Sequence, residues 1–158
     1  MRKLLLLILL LFSHSIFSQI LSGKVISIKD GDTVVVLDSL KQSTTLRLAE
    51  IDCPEKKQPF GNRAKQFTSS QIYLATINYV VTDMDRYGRA IAMIYYGDDN
   101  KYLSAELVRN GMAWHYKKYS NSKELAELEI SAREKKIGLW SDPNPIMPSE
   151  WRTVRRKK

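Results

Sequence analysis

A sequence of 158 residues allows one domain with a single core, and 44% hydrophobic with 27% charged residues is the balance of a globular protein. The formal net charge of +8 favours a polyanion, whether nucleic acid, acidic glycan or anionic lipid. The single cysteine, Cys53, excludes an intramolecular disulfide; with His115 the one histidine beyond the leader, a Cys/His zinc site and a paired-histidine ribonuclease mechanism are excluded too.

At the start of the chain, Arg2 and Lys3 precede an apolar run from Leu4 to Phe12, followed by the small residues Ser13, Ser15 and Ser18. This is the pattern of an export signal. The run is well short of the roughly 20 apolar residues that span a bilayer. Residues 1–18 are therefore expected to be a cleaved signal peptide rather than a stable membrane anchor, placing the protein in the periplasm or outside the cell.

Leu21 to Ile28 alternates and predicts a strand, Asp30-Gly31 a tight turn, and Thr33 to Leu37 a second strand. Thr44 to Ile51 predicts a third, with Leu46 and Leu48 on one face. After a loop bracketed by Pro54 and Pro59, helical spacing runs from Phe60 to Leu74, with Phe60, Ala64, Phe67, Gln71 and Leu74 on one side. Ile77 to Thr82 and Ala90 to Tyr96 predict two more strands. Leu103 to Asn110 is a short helix closed by Gly111, and Asn121 with Glu124 opens a third that turns Leu125, Leu128 and Ala132 inward. Residues 143–158 read as a basic tail containing proline. Five short strands with helices between and after them fit an α+β fold, of which a five-stranded OB-type barrel carrying three helices is the commonest home for nucleic-acid binding, while other α+β folds fit the same count.

Three polar clusters stand at predicted strand ends: Asp30-Gly31-Asp32-Thr33, Arg47 through Asp52 and Cys53 to Glu55, and Asp83 to Arg89. The first and last also read as ordinary hairpin turns. An arginine and three acids within the second are harder to explain structurally. Together the clusters supply what phosphodiester hydrolysis needs. Carboxylates from separate loops suit a hard cation, arginine forks match phosphate oxygens, and a spare carboxylate can orient or deprotonate water.

These segments resemble the staphylococcal nuclease (thermonuclease) family. The likeness is carried by Asp-Gly-Asp-Thr at 30–33, Arg47 with Ile51-Asp52-Cys53-Pro54-Glu55, and Asp85-Arg86-Tyr87-Gly88-Arg89. Phe60-Gly61, Glu106 to Gly111 and Gly138-Leu139-Trp140-Ser141 add to it, so that it runs from about Leu21 to Trp140 and makes 19–142 the expected domain. The resemblance implies calcium held by the Asp32 and Asp52 carboxylates and the Cys53 carbonyl, water handled by Glu55, and phosphate gripped by Arg47 and Arg89. It implies Tyr87 near the nucleotide; the aromatics at Trp114-His115-Tyr116 depart from the family pattern, and Tyr116 is read as a base-stacking residue on its own chemistry. It also implies cleavage of DNA and RNA to 3′-phosphate ends; a single-stranded substrate is the expected preference, and nothing demands more than a monomer. The competing reading is a non-catalytic nucleic-acid-binding module on the same barrel. A membrane or glycan binder would explain the charge but not the acids. The basic tail adds at most non-specific attraction to phosphate.

Overall fold

The computed structural model describes residues 19–156, so the expected signal peptide at 1–18 lies outside the described residues. Strands β1 (Ile20–Asp30), β2 (Thr33–Leu37) and β3 (Ser43–Leu48) form an antiparallel meander. A two-residue strand β4 (Ile51–Asp52) and helix α1 (Gly61–Ile72) follow, then the hairpin β5 (Thr76–Met84) and β6 (Ala90–Tyr96). The first half of β1 pairs with β5, its second half with β2, and β6 runs parallel to β3. That parallel pairing closes the five long strands into a barrel of the OB type. Register shifts at Val25/Ser27 and Ile28/Asp30 let β1 bend between its two partners.

Alternation fixes which side of each strand faces the core. Leu46 and Leu48 are fully buried, and Arg47 between them is turned off the barrel interior. Ala90, Ala92, Ile94 and Tyr96 do the same on β6. The expected third strand does not run unbroken to Ile51. Glu50 sits in the left-handed region, at φ 69°, and splits it into β3 and β4. Past this kink, β4 leaves the barrel and pairs with a later strand.

Beyond β6 the chain adds β7 (Lys101–Tyr102), α2 (Leu103–Arg109) and β8 (Trp114–His115), which pairs with β4 and places Asp52 opposite Trp114. Helix α3 (Lys123–Glu134) starts at Ser122, whose side chain accepts from the Leu125 N–H at 3.2 Å, one residue later than the sequence suggested. A 3-10 turn (Gly138–Ser141) precedes α4 (Pro148–Arg156). Among the described residues four helices therefore stand where three were expected, and the fourth lies in the tail. The buried line of α1 is Gly61, Ala64, Thr68 and Ile72, so the predicted face is rotated and Leu74 is exposed past the helix end.

Trp114 is core rather than surface: its ring meets that of Trp140 edge-on at 4.5 Å, and the Arg133 guanidinium lies 3.8 Å from the Trp140 centroid. No helix among the described residues is long and apolar enough to cross a membrane.

Candidate active site

The ends of β1, β3 and β5, the 52–55 loop and α4 border one open groove of about 1350 Å³. Every residue singled out by sequence lines it: Asp32, Arg47, Asp52, Cys53, Glu55, Tyr87, Arg89 and Tyr116.

The turn Asp30-Gly31-Asp32 sets the first carboxylate. Sequence suggested glycine for its backbone freedom, but Gly31 does not take a left-handed φ. Its requirement is closeness: a Cβ there would stand 2.8 Å from the Ala64 Cβ and 2.9 Å from the Cys53 Sγ. Thr68 of α1 donates to the Gly31 carbonyl at 2.6 Å and fastens the turn to the helix. Asp32, buried, then accepts the Cys53 N–H at 3.0 Å through Oδ2 and the Thr33 hydroxyl at 3.2 Å through Oδ1. Cys53 thus meets Asp32 through its amide. Its thiol is enclosed, and burial, aided by the Asp32 charge, pushes its pKa well up, so it stays protonated.

Arg47 ties the two strand ends together. Its Nη2 lies 3.2 Å from Asp32 Oδ2 and 2.9 Å from Asp52 Oδ1, while Nη1 donates to the Leu48 and Ile51 carbonyls at 2.8 and 3.1 Å. Burial works against its charge, yet Asp32 and Asp52 outweigh burial and hold the guanidinium above its ordinary range. Burial raises the Asp52 carboxyl, opposed by the hydrogen bond from Arg152. Asp30, beside Asp32, is pushed up to about 6, first by burial and then by the Asp32 charge.

Asp30, Asp32 and Asp52 thus gather at one end of the groove, with Arg47 and Arg152 as their counter-charges. No cluster of three or more carboxylate, imidazole or thiol groups able to hold a metal forms among the described residues. A cation seated on Asp32 and Asp52 would complete its shell with backbone carbonyls and water.

On the other wall, the β5–β6 turn folds on Asp85, which accepts the Tyr87 and Arg89 N–H groups at 2.8 and 3.0 Å and pairs with Arg89 Nε at 2.6 Å. Slight burial opposes these bonds, but they win and hold the Asp85 carboxyl below its usual range. Arg89 Nη1 reaches the Thr33 hydroxyl at 3.3 Å. Tyr87 is exposed at the rim, with the Arg86 guanidinium 4.9 Å from its ring centroid. Tyr116 packs edge-on against Tyr119 at 4.9 Å, and its N–H bonds the Glu50 carbonyl at 2.8 Å.

Glu50 does not join the carboxylate cluster. It accepts from the Tyr102 and Ser120 hydroxyls, both at 2.8 Å, and Ser120 meets His115 Nε2 at 3.0 Å. This network stabilises the left-handed kink. His115 is accordingly a buried packing residue, and burial lowers its pKa.

Sequence offered no chemistry for the tail, yet α4 brings Arg152 into the groove. Its Nη2 lies 2.8 Å from Asp52 Oδ2 and its Nη1 2.7 Å from Glu55 Oε1. Pro148 at the first helical position and Glu150 in the first turn signal a helix. Nothing local signals which groups it reaches.

The family model described as staphylococcal nuclease homologue matches residues 45–142. A protein described as an uncharacterized endonuclease, from Escherichia coli O157:H7, is 38% identical over 96% of this chain and 98% of its own length. One with the same description from Haemophilus influenzae is 43% identical over 82% of this chain and 71% of its own. The micrococcal nuclease of Shigella flexneri is 38% identical over 82% and 79%.

Proposed function

Because the chain belongs to the staphylococcal nuclease family, we propose that this nuclease is exported, uses calcium, and hydrolyses phosphodiester bonds of DNA and RNA to leave 3′-phosphate ends. The observation that carries the reading is the meeting of Asp32, from the β1–β2 turn, and Asp52, from β4, on one nitrogen of Arg47 at 3.2 and 2.9 Å. Two carboxylates held that close in a buried place suit a divalent cation, whose contribution would be to polarise the phosphate and neutralise developing charge.

The remaining roles belong to this chain's own side chains. Glu55 is about a third exposed, at 35%, and borders the groove, where it can orient a water or take its proton. Arg47 and Arg89, from the ends of the paired strands β3 and β6, both line the groove and can fork phosphate oxygens as charge builds in the transition state. Tyr87 and Tyr116 offer ring faces that stack on bases with little regard to sequence, which suits an unpaired strand.

The deciding experiment is digestion of single-stranded DNA by the purified chain with calcium, with magnesium and with chelator. Cleavage with calcium that chelator abolishes is expected. DNA bound but uncut under every metal would replace this reading with the binding module. Glu55→Gln is expected to slow cleavage by about a hundredfold or more, as for a general acid or base, with the fold kept. Wild-type turnover would remove Glu55 from the chemistry.

A further inference from the structure

Arg152 comes to the groove from outside the barrel and lands on two groups at once. Its Nη2 bonds Asp52 Oδ2 at 2.8 Å, and its Nη1 bonds Glu55 Oε1 at 2.7 Å and reaches Asp52 Oδ1 at 3.4 Å. With Arg47 Nη2 also on Asp52 Oδ1 at 2.9 Å, both Asp52 oxygens accept from guanidiniums. An oxygen whose lone pairs are taken by N–H donors is a poor metal ligand, and a fixed positive charge beside it repels a cation.

The docking that delivers Arg152 is independent of this pair. Gln58 Nε2 donates to the Ile146 carbonyl at 2.7 Å, Met147 packs on the Trp114–Trp140 cluster, and Pro148 is buried. The docking is also incomplete. The Trp151 indole N–H is buried without a partner among the described residues, and a donor stranded in this way costs free energy. The Arg152 side chain itself is 38% exposed, so it can turn to water without α4 unfolding.

We propose that Arg152 occupies the cation position of the carboxylate site and thereby sets its affinity, so that a divalent ion gains Asp52 only as Arg152 leaves it. The inference rests on the reading of Asp32 and Asp52 as metal ligands. α4 then acts as a tethered competitor, held at high effective concentration by its own packing.

The test is calorimetric titration of calcium into the full chain without nucleic acid, for wild type, Arg152→Gln and Arg152→Lys. Arg152→Gln is expected to bind about tenfold more tightly, because one positive charge a few ångströms away is removed. Arg152→Lys, which keeps the charge but loses the fork, is expected to fall between. Equal or weaker binding by Arg152→Gln, with calcium still bound by wild type, overturns the role of Arg152 and leaves the metal reading standing. No binding by either protein removes both.

Discussion

Arg47 and Arg89 carry the same side chain into the same groove, but the protein holds them in opposite ways. Arg47, 15% exposed, bonds a carboxylate of the β1–β2 turn, one of β4, and the Leu48 and Ile51 carbonyls. Arg89, 28% exposed, leans on Asp85 within its own turn and touches the rest of the molecule at Thr33. The first is a strut that also faces the ligand. The second is free to serve the ligand alone. Removing Arg89 is therefore expected to spare the fold, and removing Arg47 is not.

The strongest way to break the contrast is Arg47→Ala. It leaves the buried Asp32 without a guanidinium and Asp52 with Arg152 alone, and the cost is expected to be about 3 kcal/mol of stability along with the loss of cleavage. Urea unfolding that matches wild type would show that Arg47 is no strut. Arg89→Ala is expected to cut the cleavage rate about a hundredfold, the range for losing one donor to the transition state. Its unfolding free energy should stay within about 0.5 kcal/mol of wild type, since the lost pair is local and partly solvated. A large drop in stability would erase the difference.

Thr68→Val sharpens the comparison from behind the site. It removes the 2.6 Å bond to the Gly31 carbonyl, and about 1 kcal/mol of stability should go with it. If the Asp32 side of the groove is the rigid one, the cleavage rate should fall together with stability; a rate unchanged in the destabilised variant would mean that the turn holds itself. The smallest effect concerns His115, which supports the same wall. Its folded pKa lies below the ordinary 6.5, so the unfolded chain takes up the proton first. The stability it contributes is complete above pH 6.5 and is lost as pH falls through the lower folded value. Lys117 opposes that proton, while Glu129 and Glu50 favour it. Melting temperature followed from pH 7 to 5 should decline less steeply in His115→Gln than in wild type; parallel slopes would acquit His115.

The same contrast explains what sequence could reveal. The barrel was legible because its strands alternate: Leu46 and Leu48, then Ala90 to Tyr96, declare a buried face by period alone. The groove residues were legible because they cluster in short segments at strand ends. The kink at Glu50 was not, since a glutamate at φ 69° is held by Tyr102 and Ser120, more than fifty positions away. The rotated face of α1 escaped for a related reason. Thr68 looks polar and solvent-facing until the Gly31 carbonyl arrives to accept its hydroxyl. Arg152 was hidden most completely. It is 100 positions from Asp52, in a segment whose composition reads as a solvated tail. The domain expected to end at residue 142 is therefore met by a later segment inside its own groove.

The tight seat of Gly31 turns the single cysteine into a gauge. Cys53 Sγ is sealed between that glycine and α1, on the loop that joins Asp52 to Glu55. A thiol reagent can reach it only when the turn and the loop separate. The speed of labelling therefore counts how often the carboxylate centre comes apart, residue for residue where the chemistry is placed. The chain carries no second thiol to blur the count.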